Sequence, residues 1–135
     1  MKRKDKMANF KTWHSLLRFY PSRERRAYSM LENRFKTKLV EELERLFPGC
    51  IIIHMDPNEI QGIPDLLILY RDKWAALEGK KDGRASHRPN QEYYVAKMNR
   101  MSFAAFIYPE NKEEVLDELQ QALRPRRASR ISRCQ

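Results

Sequence analysis

The stretch Gly62-Ile63-Pro64-Asp65-Leu66-Leu67-Ile68-Leu69-Tyr70-Arg71-Asp72-Lys73-Trp74-Ala75-Ala76-Leu77-Glu78-Gly79-Lys80 decides the fold. Two apolar runs, Asp65 to Tyr70 and Trp74 to Lys80, flank the charged turn Arg71-Asp72-Lys73 and read as a β-hairpin. Counted from Asp72, Asp65 lies seven residues back and Glu78 six forward, so the hairpin brings both to one end of the paired strands. Alternate strand residues share a face, so Glu78 and Lys80 point the same way. Taken singly, each charge has an ordinary reading: Asp65 as turn chemistry after a proline, Glu78 as the place where a strand emerges into solvent. Taken together they are harder to dismiss. Two carboxylates at one place repel unless a cation lies between them, and hard oxygen ligands are what magnesium takes at phosphate chemistry. Lys80, one alternation further, is placed to polarise a phosphate or to position an attacking water.

Upstream, Pro21 ends a short helical pattern over residues 7–19, and Ser22 is the expected N-cap of a long helix running to about Phe47, where Pro48-Gly49 stops it. At about 100° per residue, Glu32 falls seven residues before Leu39 and eleven before Leu43, within roughly 20° of their line. A carboxylate is thereby expected on the stripe that faces the sheet. Its alternatives are pairing with an arginine such as Arg25 or lying at the exposed end of the stripe. Glu41 falls on the opposite face. The β-branched run from Cys50 to Met55 reads as a buried strand, and residues 56–64 as a loop.

Downstream, residues 81–89 form a polar, basic loop. Pro89 suits the first turn of a helix over about 90–101, Phe103 to Tyr108 reads as a fourth strand, and residues 110–123 as an amphipathic helix with Val115, Leu116, Leu119 and Leu123 inward. The order helix, strand, strand, strand, helix, strand, helix predicts an α/β fold: a four-stranded mixed sheet with helices packed against it.

A chain of 135 residues suits one domain. We divide it into a basic N-terminal segment with a short helix (1–21), the folded domain (22–123) and a basic tail (124–135) expected to be disordered, which holds five arginines and no acid. The net charge of +9 points to a polyanionic partner, nucleic acid foremost. An anionic membrane is the competing partner, but no apolar stretch approaches the roughly 18 residues of a span, and no apolar run follows Lys2, Arg3, Lys4 and Lys6 as in a signal peptide. A cytoplasmic protein is expected. Cys50 reads as a small buried hydrophobe and Cys134 as part of the tail; neither supports a zinc site.

These residues carry a resemblance. Gly62-Ile63-Pro64-Asp65-Leu66-Leu67, then Glu78-Gly79-Lys80, then Gln91 on the next helix resemble the PD-(D/E)XK nuclease superfamily, most closely the stand-alone VRR-Nuc and Holliday-junction-resolvase-like nucleases, many of them phage-encoded. The resemblance covers about residues 28–109. It implies a restriction-endonuclease-like core. It also implies that Asp65, Glu78 and the Gly79 carbonyl are metal ligands, that Glu32 matches the N-terminal helix acid that helps hold metal, that Lys80 is the catalytic lysine, and that Gln91 completes the site. The implied cofactor is Mg2+, with Mn2+ able to substitute, and no small-molecule cofactor is called for. The implied reaction is in-line hydrolysis of a DNA phosphodiester, leaving a 5′ phosphate. One departure stands out. Gly79 occupies a position where the family usually has a hydrophobic residue, and a second lysine, Lys81, follows, so the division of labour between the lysines stays open.

The loop holding Lys81, Arg84, Ser86, His87 and Arg88 adjoins these residues and is the expected phosphate-contact surface, positioning DNA rather than reading its bases. His54 reads as a satisfied strand histidine. Tyr93 and Tyr94 fit packing better than base stacking. Small nucleases of this kind often resolve branched DNA, a task for a two-fold homodimer, and the apolar residues from Trp13 to Phe19 are a candidate dimer surface. The alternatives are a non-catalytic nucleic-acid-binding module and a phage accessory protein that keeps the nuclease fold.

Overall fold

The Asp65–Lys80 hairpin forms as predicted and supplies the two central strands of the sheet. The computed structural model describes residues 22–125; the expected N-terminal helix, the dimer surface around Trp13 and most of the basic tail lie outside them. The elements run α1 (Ser22–Leu46), β1 (Ile51–His54), β2 (Leu66–Tyr70), β3 (Lys73–Gly79), α2 (Gln91–Met101), β4 (Phe103–Ile107) and α3 (Lys112–Ala122). The strand order is β1-β2-β3-β4. β1, β2 and β3 pair antiparallel, while β4 pairs with β3 in parallel. The parallel pair follows from the connection: α2 carries the chain back along the sheet, so β4 must run the same way as β3. The fold is thus α/β, an open four-stranded mixed sheet flanked by three helices, as expected.

Strand alternation divides the core. Leu66 and Ile68 of β2 lie beside Leu77 and Ala75 of β3 and bury against Leu39 and Leu43 of α1, Phe47 just beyond it, and Val115, Leu116 and Leu119 from α3. On the other face, Ala76 and Ala104 bury under Val95 of α2. Small residues there let α2 lie close to the sheet. Asn111 ties the end of β4 to α3, accepting from the Tyr108 amide at 2.9 Å and donating to the Phe106 carbonyl at 3.1 Å.

Three expectations need correction. β1 is not a buried strand: Ile51 is 60% and Ile53 42% exposed, because β1 is the sheet edge and α2 covers only the β3–β4 side of that face. Pro89 precedes the helix instead of opening it; Asn90, in left-handed conformation at φ 69°, makes the corner, and α2 starts at Gln91. Ser22 is itself helical rather than a cap. Among the described residues, no helix is long and apolar enough to cross a membrane.

Candidate active site

The register pairs Leu66 with Leu77, so Asp65 stands opposite Glu78 just beyond the paired ends. The backbone amide of Asp65 donates to Glu78 Oε2 at 2.9 Å. Glu78 and Lys80 share a face, as alternation requires, and both are buried, 3% and 7% exposed. Burial of two charged groups demands partners, and Gln91, itself buried, links them. Its Nε2 donates to Glu78 Oε1 at 2.6 Å, and its Oε1 accepts from Lys80 Nζ at 2.7 Å and from the Arg88 amide at 2.6 Å. Lys80 Nζ also reaches the Ser86 carbonyl at 3.4 Å and lies 3.7 Å from Glu78 Oε1.

Gln91 is the first residue of α2, and its seat is fixed by the loop that leads to Asp65. Gly62, at φ +91°, lies so close to the start of α2 that a Cβ there would come 2.7 Å from the Asn90 carbonyl carbon and 2.9 Å from the Gln91 nitrogen. Neither the conformation nor the space accepts a side chain.

Electrostatics follow burial. Desolvation pushes the Glu78 carboxyl up to about 7, with the charge of Asp65 adding to it and Lys80 and Lys36 opposing. Desolvation pulls Lys80 below the ordinary lysine range, against the pull of Glu78, Glu32 and Asp65. A buried lysine of lowered pKa gives up a proton more readily than a surface one.

The other face of the strand ends belongs to α1. Glu32 is half-buried, as its place on the stripe implied, but its partner is Lys36. Lys36 Nζ lies 3.1 Å from Glu32 Oε1 and 2.7 Å from Asp65 Oδ2. Burial lowers the Lys36 pKa and the two carboxylates more than offset it, so the net shift is upward. Sequence reasoning passed over Lys36. The signal was present, since Lys36 falls seven residues before Leu43 and eleven before Phe47, the same offsets that selected Glu32.

Glu32 is therefore joined to Asp65 only through the Lys36 ammonium, which stands between the two carboxylates. Among the described residues, no group of three or more His, Cys, Asp or Glu side chains is arranged to hold a metal ion. Asp65 and Glu78 nonetheless fit a hard cation. Asp65 Oδ2 is closed to solvent, and the Lys36 ammonium lies against it at 2.7 Å. A divalent ion would take that oxygen by displacing the ammonium. Gly79 brings backbone beside it, an added Cβ there lying 3.7 Å from Asp65 Oδ2.

The basic loop divides. Arg84 and Arg88 are exposed and Lys81 is half-buried with Asp82 at 3.8 Å. Ser86 turns its carbonyl to Lys80, and its Oγ is buried without a hydrogen-bond partner. His87, expected at DNA, packs instead: its ring stacks on Phe106 with centroids 3.9 Å apart, and Nδ1 meets Glu92 Oε1 at 2.9 Å. Comparisons with protein-family models, with curated proteins and with solved structures find no match for this chain.

Proposed function

We propose that the protein is a metal-dependent DNA endonuclease of PD-(D/E)XK type that hydrolyses phosphodiester bonds, with branched DNA such as a four-way junction as its preferred substrate. The observation that carries this reading is the buried chain Glu78–Gln91–Lys80 closed against Asp65. A fold gains little stability by burying an acid and a base together, because desolvation offsets their attraction; a site that must present both to a substrate has a use for them.

Asp65 and Glu78, with the Gly79 carbonyl, would hold Mg2+ or Mn2+, which there supplies charge stabilisation at phosphorus and acidifies water. The remaining work belongs to the chain. Lys80, as an ammonium beside the carboxylates, would donate a hydrogen bond to a non-bridging phosphate oxygen and offset the charge that builds there. Gln91 fixes Lys80 and Glu78 relative to one another. Lys81, Arg84 and Arg88 lie on the loop next to Lys80, where phosphates flanking the cut would pass. Two cuts on opposed strands require two sites, so the active species is proposed to be a homodimer.

One observation favours a second reading, a nucleic-acid-binding module without catalysis: Lys36 already neutralises Asp65. The deciding test incubates the protein with a four-way junction and with matching linear duplex, in Mg2+, Mn2+ or EDTA, beside Asp65→Ala. Metal-dependent junction cutting that Asp65→Ala abolishes supports the nuclease. Equal cutting of linear duplex keeps the chemistry and removes the junction preference. Binding without cutting in either metal selects the second reading.

A further inference from the structure

Lys36 spans a gap that an ordinary surface ion pair does not. It starts on α1, crosses one end of the sheet and places its ammonium between a carboxylate of its own helix and Asp65 at the mouth of β2. Its stem passes directly over Gly79. A Cβ at that position would come 3.2 Å from both Lys36 Cγ and Lys36 Cε, closer than the packing of ordinary side chains. The missing side chain in Glu78-Gly79-Lys80 is thus the space that Lys36 uses, and two features separated by 43 positions in sequence are one structural device.

We propose that Lys36 is an internal counter-ion that competes with the divalent cation for Asp65. This inference rests on the metal-dependent reading above. When no divalent ion is present, the ammonium holds Asp65 and Glu32 together and keeps the site from flying apart by like-charge repulsion. When the ion arrives, Lys36 yields Asp65 Oδ2 to it. The geometry suits exchange. The ammonium lies 2.7 Å from Oδ2, the place a divalent ion would need, so the two cations exclude one another there. The displaced side chain has somewhere to go: Lys36 also lines a surface cleft between α1 and the end of β1, together with Asn33, Thr37 and His54. Withdrawal of Lys36 also frees the Glu32 carboxylate it now bridges to Asp65, a third oxygen donor for the ion. Lys36 is in these terms a positioning residue, acting through Asp65 and Glu32.

The test titrates Mn2+ into the full chain without DNA, reading bound metal by calorimetry and free Mn2+ by its electron spin resonance, for the wild type, Lys36→Met, Lys36→Arg and Asp65→Asn. Lys36→Met is expected to bind Mn2+ about fivefold to tenfold more tightly, to melt at a lower temperature than wild type in EDTA, and to recover that loss when Mn2+ is added. Lys36→Arg, which keeps the charge, is expected to bind no more tightly than wild type. Lys36→Gln takes the place of Lys36→Met should the latter not fold. If Asp65→Asn abolishes binding but Lys36→Met and Lys36→Gln bind Mn2+ no better than wild type, the counter-ion role is overturned and the metal site stands. If no variant binds Mn2+, or if Asp65→Asn binds it like wild type, the metal site itself fails and Lys36 with it.

Discussion

Glu78 ionises against its surroundings, and that makes the fold itself sensitive to pH. Its carboxyl titrates near 4.5 when exposed and is raised to about 7 here, chiefly by burial. Below the lower value it is protonated in both folded and unfolded chains, and its full contribution is present. As pH climbs toward 7 the unfolded chain sheds the proton first, so stability falls, by up to about 3 kcal/mol, until the folded carboxyl ionises too. Urea melts at pH 5 and pH 8 in EDTA should show this loss in wild type and its disappearance in Glu78→Gln. Gln91→Ala removes three hydrogen bonds from buried or half-buried partners and is expected to destabilise by about 1–3 kcal/mol. It should also slow cutting by about 10–100-fold with DNA affinity unchanged, as read by single-turnover cleavage beside a binding titration. The meeting of Asp65, Glu78 and Lys80 was legible in the sequence because a tight turn and a period of two are local rules, although Lys73, read as part of the turn, belongs to β3. Gln91 came only through the resemblance, since nothing local says what a helix's first residue will touch. Lys36 obeyed the same helical count as Glu32 and still went unread: a lysine on an apolar stripe has no meaning until tertiary packing supplies the acid beyond it.

Elements were legible to within one or two residues at their ends, the margin set by fraying and capping. Their burial was not. Cys50 to Met55 reads as interior because it is β-branched and apolar, yet burial is decided by which helices cover which strands, and β1 is left at the edge. The difference is measurable. Leu43, fully buried between α1 and the sheet, is expected to cost about 2–5 kcal/mol when cut to alanine, whereas Ile51→Ala, on the exposed edge, should stay within about 0.5 kcal/mol. Chemical denaturation distinguishes the two, and neither change should alter the cutting rate of the folded fraction. His87 illustrates the same limit from the other direction. Its basic loop is polar in sequence, but the ring finds Phe106 of β4, a contact made only after β4 has paired with β3.

At the scale of the whole molecule, charge is the property read most directly from sequence. A surplus of +9 predicts DNA binding that weakens steeply with salt, the logarithm of affinity falling by about 0.9 per phosphate neutralised for each decade of salt. Deleting residues 126–135 removes Arg126, Arg127, Arg130 and Arg133 and should flatten that slope if the tail touches phosphate, while leaving cutting of the bound junction intact. Sedimentation velocity of the full chain is expected to give twice the 16.2 kDa mass, and a monomer would remove the paired-cut arrangement. The mixed sheet was legible because a helix between strands enforces a parallel neighbour. The convergence of α1 and α2 on the same strand ends, from opposite faces, was not, since it depends on how both helices lie once the core has closed.

Gly62 has no side chain to offer a substrate, yet it wedges the approach to Asp65 against the helix that begins at Gln91. In a saturation scan scored by junction cutting it should rank with Asp65 and Glu78 among the positions that tolerate least. Essentiality in this protein will therefore overstate chemistry: a position can be irreplaceable because it is a spacer, and only an assay of folded protein separates the spacer from the tool it holds in place.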